Sequence, residues 1–356
     1  EILVWFLMAA RSDPRPFFIG ALLHKGSLFG WLLGVISVYV GPDHGDFIIM
    51  PTQPPARSIS FGTWVMMIGL SVIWGGSFLF GRVAVASMPP FTLVAIRVLL
   101  GTLTLAVILW LTRTAFPKGK SIWLALLGMG LINNTIPFSL IIFGQRDIGA
   151  GLASILNATT PLFTVLVAHG LTRDEKLNAS KISGILLGLG GVSVMLGPAV
   201  QEGHPFAILS CLAAALSYGF GSVWGRQFKG LNLSALQTAF GQVCSSMMMM
   251  LPLALVVDRP WERAVPPLAA LQSVAALGIL CTGFAYILFF KILANAGATA
   301  VSLVTFLIPP SAIVLGAVVL GESLTAPQWM GMGMIGLGLA AVDGRLLARW
   351  RVNKSD

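Results

Sequence analysis

Three prolines sit inside apolar stretches, and each stands four residues after a residue with a polar side chain. Proline leaves the carbonyl four positions earlier without its helical hydrogen bond, so Pro137 frees the carbonyl of Asn133, Pro161 that of Asn157 and Pro309 that of Thr305. Ser154, Asn157 and Pro161 stand at i, i+3 and i+7, on one helical face, and Ser302, Thr305 and Pro309 repeat that spacing. Polar side chains beside freed carbonyls offer hydrogen bonds to a small polar molecule. Two readings fit. In one, these faces line a polar central cavity together with Asn133 and Asn134. In the other, the prolines kink their helices and the amides tie neighbouring helices together.

Other candidates follow from shared faces. Trp74 and Phe78 lie on one face with Ser71, Gly75 and Arg82, and Tyr218 repeats the position of Trp74 beside Gly219, Ser222 and Arg226. These aromatics wall a substrate path or belong to ordinary packing against small residues. Thr282 and Tyr286, with Cys281, fall opposite Asn134, Phe138 and Asn133 in the repeat set out below. Arg97 is the one cation well inside an apolar run; it is either a functional group or a side chain reaching for an interface. No Asp or Glu lies at similar depth, so a carboxylate relay has no candidate.

No catalytic set is expected. An intramembrane lipid-modifying enzyme would need a nucleophile, a base or a metal at the interface, and His169 alone does not supply one. His24, His44, His169 and His204 are scattered, and Cys211, Cys244 and Cys281 fall inside apolar runs, so neither a metal nor a cofactor is expected.

These residues are positioned by a duplication. Setting Pro161 on Pro309 also sets Gly149 on Gly297, Ala150 on Ala298, Ser154 on Ser302 and Asn157 on Thr305. One skipped residue then carries Glu175 to Glu322, Gly184 to Gly331 and Gly191 to Gly338. Further back, Trp74 to Arg82 lies over Tyr218 to Arg226, with Gly75 on Gly219 and Gly81 on Gly225. Self-similarity at a fixed period is the signature of a repeated architecture.

Composition names the solvent. With 56% hydrophobic and 10% charged residues and a mean hydropathy of +0.88, the chain lies far from soluble usage, where about a quarter of residues are charged. The apolar runs are continuous rather than alternating, which indicates helices and not a strand barrel. Ten spans are expected, near 63–86, 91–112, 122–144, 148–171, 179–197, 205–227, 234–257, 267–290, 297–320 and 327–347. The fold class is therefore an all-α integral membrane protein of ten helices, built as two inverted five-helix repeats over 61–199 and 200–347. The net charge of +9 does not point to nucleic acid, because the bases sit in short loops. Arg113, Lys118, Lys120, Arg173, Lys176, Lys229 and the basic tail at 348–356 load one side, which places both ends of the ten-helix unit in the cytoplasm of a cell (inner) membrane. Five is odd, so the second copy crosses in the opposite sense, as in alternating-access transporters.

Residues 1–60 lie outside the duplication. Phe17 to Val40 is apolar apart from His24 and Lys25. It is read as a further span, an interfacial segment, or sequence upstream of a start at Met50, the last two favoured by the cost of Lys25 in a span.

WGGSF at Trp74 to Phe78, Arg97, LNATTPLF at Leu156 to Phe163, LIPP at Leu307 to Pro310 and LGESL at Leu320 to Leu324, taken with two five-span copies, resemble the EamA-type branch of the drug/metabolite transporter superfamily. The resemblance implies a ten-helix basket whose central cavity is made by the first, third, fourth, sixth, eighth and ninth spans. It also implies a secondary transporter and no enzyme, exporting small metabolites, neutral amino acids foremost, with drug-like amphiphiles as the alternative. Its expected partners are the substrate and the lipid bilayer, with the chain working as a monomer or a weak homodimer.

Overall fold

The computed structural model describes residues 61–172, 177–201 and 204–343, and at 196–201, 229, 290, 293–303 and 343 the backbone alone. Residues 1–60, Glu175, the tail and the side chain of Ser302 lie outside the described residues.

Ten helical segments run in order: α1 Phe61–Val85, α2 Pro90–Leu111, α3 Lys120–Gly144, α4 Ala150–Leu171, α5 Ala179–Gln201, α6 Pro205–Phe228, α7 Ala235–Val257, α8 Leu268–Phe289, α9 Val304–Leu320 and α10 Ala326–Asp343. Among the described residues, seven of them are long and apolar enough to cross a membrane, and two more are shorter apolar helices.

The helical backbone runs unbroken from Ala285 to Leu320, where a loop at 290–297 is expected. The alanine-rich stretch after Ile292 favours helix in spite of Gly297, and it carries no proline. The helical path nevertheless bends sharply within that stretch. Trp74 meets Phe289 at 5.8 Å between ring centroids, while a Cβ on the neighbouring Gly75 would stand 2.7 Å from that of Ser311. A straight helix would put Phe289 and Ser311 about 33 Å apart. So α8 and α9 are separate passes.

The repeat is visible in the packing. A Cβ on Gly184 would lie 2.5 Å from the carbonyl of Gly338, and one on Gly191 would lie 2.6 Å from that of Gly331. Because Gly184 corresponds to Gly331 and Gly191 to Gly338, these are one contact seen twice, and the order of the pairs makes α5 and α10 antiparallel. Gly75 likewise seats α1 on α9 at Ser311 and Ala312, and Gly219 seats α6 on α4 at Phe163 and Thr164. These are equivalent positions in the two copies. In lipid, small residues let helices approach closely enough for van der Waals packing to hold them.

Both copies also widen the same helix at the same point. Turns of π-helix occupy Leu131–Thr135 in α3 and Ile279–Phe284 in α8, which are repeat mates. Only the first is followed by a proline, Pro137; the position matching it is Ala285. The widening therefore does not need proline. Pro161 does sit at a break, since α4 is divided between Asn157 and Thr160. Pro309 is a correction to the helix-breaking expectation: the helix runs through Pro309 and Pro310. Each of the two prolines removes one hydrogen bond there while the neighbouring turns keep the helical path.

Candidate functional site

The two widened turns face a cavity of about 480 Å³. Its wall includes Trp74 and Phe78 from α1, Asn133 from α3, Ser154, Asn157 and Pro161 from α4, Tyr218 from α6, Thr282 and Tyr286 from α8, and Thr305 from α9. Asn134 is not brought to the wall. It is fully buried behind it, its amide making no hydrogen bond of ordinary length and facing the Tyr286 hydroxyl. Successive residues on a helix point about 100° apart, so only one of two adjacent asparagines can face inward. Ser154 reaches the wall, but its hydroxyl donates to the Gly151 carbonyl of its own helix at 2.7 Å. Asn157 has an Oδ1 without a hydrogen-bond partner.

Two residues outside the proline-marked faces complete the centre. Gln242 of α7 accepts from Asn133 Nδ2 at 3.2 Å and donates to the Tyr286 hydroxyl at 2.9 Å. Arg97 of α2 donates from Nε to the Thr282 hydroxyl at 3.2 Å, and its guanidinium lies 3.7 Å over the Phe138 ring. At 8% exposed, Arg97 does not reach for an interface.

Arg97 and Gln242 are repeat mates. Gly130 abuts the Gln242 carbonyl and its counterpart Gly278 abuts the Arg97 carbonyl. Phe138 corresponds to Tyr286, so the Arg97–Phe138 and Gln242–Tyr286 contacts are the same contact in the two copies. Each also bonds the other copy's widened helix region or its neighbour: Arg97 reaches α8, and Gln242 reaches α3.

One end of the cavity is shut. Where α1, α3 and α4 meet the 86–89 and 145–149 connections, the wall finishes on Phe78, Ile142, Ser154 and Gln145, all at most 5% exposed. Gln145 donates to the Phe78 carbonyl at 2.7 Å, and Arg82 donates to the carbonyls of Gln145 and Arg146 at the end of α3. A cation there complements the helix C-terminus.

Two carboxylates from the second copy also cap helices of the first at this end. The helix start at Ala150 follows Gly149, which has no side chain to cap with; Glu322 accepts from Ala150 N at 3.0 Å and Gly151 N at 3.2 Å. A Cβ on Gly149 would stand 2.8 Å from the Glu322 carboxyl carbon, so glycine makes room for it. The start of α2 follows Pro89 and carries Pro90; Asp258 accepts from Thr92 N and from its hydroxyl.

At the other end the wall runs out through Ser222, Gly225, Phe228 and Thr238, with Ser222 exposed. Ser222 is the repeat mate of buried Phe78. A Cβ on Gly81 would collide with Gln145, whereas one on its mate Gly225 would meet only Met129, at 3.8 Å. The copies thus match at the centre and differ at the ends.

The sequence profile of the EamA-like transporter family matches residues 62–197 and again 205–342. The chain belongs to this family. It is a multi-pass membrane transporter. Similar proteins include an uncharacterised transporter of Bacillus subtilis (strain 168), YoaV, 26% identical, with 77% of this chain and 94% of that protein covered. Another is an uncharacterised inner membrane transporter of Escherichia coli (strain K12), YedA, 23% identical, covering 76% and 86%. A solved crystal structure 20% identical, covering 81% of this chain and 98% of the other, superposes with a TM-score of 0.57, a likeness of fold.

Proposed function

We propose that this transporter exports small metabolites, neutral amino acids foremost, from the cytoplasm by alternating access. The observation that carries the reading is the pair Phe78 and Ser222, equivalent in the repeat, one sealing the cavity and the other open to its surroundings. Two inverted copies that hold different shapes can exchange them, and the exchange moves the opening from one side to the other. The positive-inside bias of the loops supports a cytoplasmic Ser222 end and an outer Glu322 end, and on that orientation this shape is the one that would load substrate for export. Substrate would lie between Ser154, Asn157 and Thr305, with Asn133 and Gln242 as hydrogen-bonding groups and Trp74, Phe78, Tyr218 and Tyr286 as aromatic walls. A cavity of about 480 Å³ suits a molecule of amino-acid size with surrounding water.

The test is efflux from proteoliposomes loaded with labelled amino acids, with and without a pH gradient. Saturable efflux blocked by an unlabelled competitor is expected, reduced at least about tenfold by Asn157→Leu combined with Thr305→Val, the loss of two buried hydrogen bonds. Unchanged efflux in that folded variant would defeat the site assignment. A second reading, efflux of drug-like amphiphiles, draws on the aromatic wall of Trp74, Phe228, Tyr286 and Phe289. It takes over if no amino acid moves while an amphiphilic dye does.

A further inference from the structure

Arg97 is a cation buried at membrane depth, a placement that costs about 3 kcal/mol on insertion scales. Buried charges are ordinarily paired with an opposite charge. Among the described residues its contacts are neutral: the Thr282 hydroxyl, the Phe138 ring face, and as further neighbours the phenols of Tyr218 and Tyr286 and the thiol of Cys281. The described cavity wall contains no aspartate or glutamate.

The repeat sharpens this. The mate of Arg97 is the neutral Gln242, which spends both ends of its amide on Asn133 and Tyr286. Arg97 spends Nε on Thr282, whose hydroxyl is held in turn by the Leu277 carbonyl at 2.8 Å. The guanidinium is thus fixed in place on a ring and a hydroxyl, in a cavity wall, carrying a charge that its symmetry mate lacks.

We infer that Arg97 is a carboxylate-binding group, and that the transported molecules bear a free carboxylate: amino acids and small organic acids. The guanidinium fork matches a carboxylate bidentately. One cation with no second base among the described wall residues balances a single negative charge, so a phosphate dianion is disfavoured. The remainder of the ligand would lie toward Trp74 and Phe289, and an ammonium group would find the unpartnered Asn157 Oδ1 and the aromatic faces. This deepens the transport reading and rests on it for the word "transported"; the carboxylate site itself does not.

The test uses the full chain purified in detergent and four probes sharing the leucine side chain: leucine, leucinamide, 4-methylpentanoate and isoamylamine, which is leucine without its carboxylate carbon, with propyl phosphate as a fifth. Affinity is read from the shift in thermal unfolding midpoint with concentration. Leucine and 4-methylpentanoate should bind, and the amide and amine should bind at least about 30-fold more weakly, the loss of a charge-assisted pair. Arg97→Gln should abolish the difference, and Arg97→Lys should weaken carboxylates about tenfold while keeping the preference.

Should Arg97→Gln not fold, the wild-type probe series still decides, and Thr282→Val should weaken carboxylates without removing the charge. Equal binding of acid and amide, tighter binding of the phosphate, or no binding of either carboxylate overturns the inference. Binding of carboxylates by protein that moves none of them in proteoliposomes would defeat the transport reading and leave the site standing.

Discussion

Asp258 shows how a single residue can be both a support and a cost. Pro89 and Pro90 leave the start of α2 without a local cap, and the Asp258 carboxylate takes the Thr92 N–H and hydroxyl from across the molecule. Burial pushes its carboxyl above the ordinary aspartate value, with the Thr92 bonds and Arg263 opposing. A pKa raised on folding means that the folded state holds the proton more tightly. Its contribution to stability is then greatest below the ordinary aspartate pKa and falls as pH rises through the raised one. Thermal unfolding measured from acid to neutral pH should show Asp258→Asn gaining relative to the wild type as pH climbs through that window. A constant difference across the range would mean that burial of the charge has no such effect. Asp258→Ala, which removes the cap itself, should cost about 1 kcal/mol.

At the scale of elements, the closed end depends on Glu322 holding α4 and on Arg82 holding α3. Glu322→Ala removes two charge-assisted bonds, worth about 2–4 kcal/mol together, and should loosen that end before it unfolds the protein. With Ser154→Cys as a reporter, a membrane-impermeant maleimide applied at the 145–149 side should react faster in the Glu322→Ala background. An unchanged rate would show that the cap does not hold the cavity shut.

Much of this element layer is legible in the chain. Gly75, Gly184, Pro161 and their mates repeat at constant spacing because packing and backbone geometry demand those residue types in both copies. Gln242 is not legible in the same way. Its mate is Arg97, and a cation and a neutral amide share no chemistry that an offset of residue types would reveal. The caps are hidden for another reason: Asp258 and Thr92 are 166 residues apart and Glu322 and Ala150 are 172 apart, joined only by the fold. Asn134 and Pro309 show the reverse failure, where adjacent polar residues and a proline suggest roles that the rotation between neighbouring helix positions and one tolerant helix remove.

For the whole molecule, two inverted copies of one five-helix unit share a centre and differ at their ends, and on the proposed function transport consists in exchanging those ends. The family and the duplication are established by the match over both halves; the exchange is the claim that remains to be measured. The decisive measurement is site-directed labelling at the repeat-related pair Phe78→Cys and Ser222→Cys, each in a background with Cys211, Cys244 and Cys281 replaced by alanine, using an impermeant maleimide from either side of sealed vesicles. Ser222→Cys should react from its own side while Phe78→Cys is protected. A saturating amino-acid gradient should expose Phe78→Cys from the opposite side as it protects Ser222→Cys. Both positions reacting from the same side, or Phe78→Cys staying protected while substrate is being moved, would contradict the exchange.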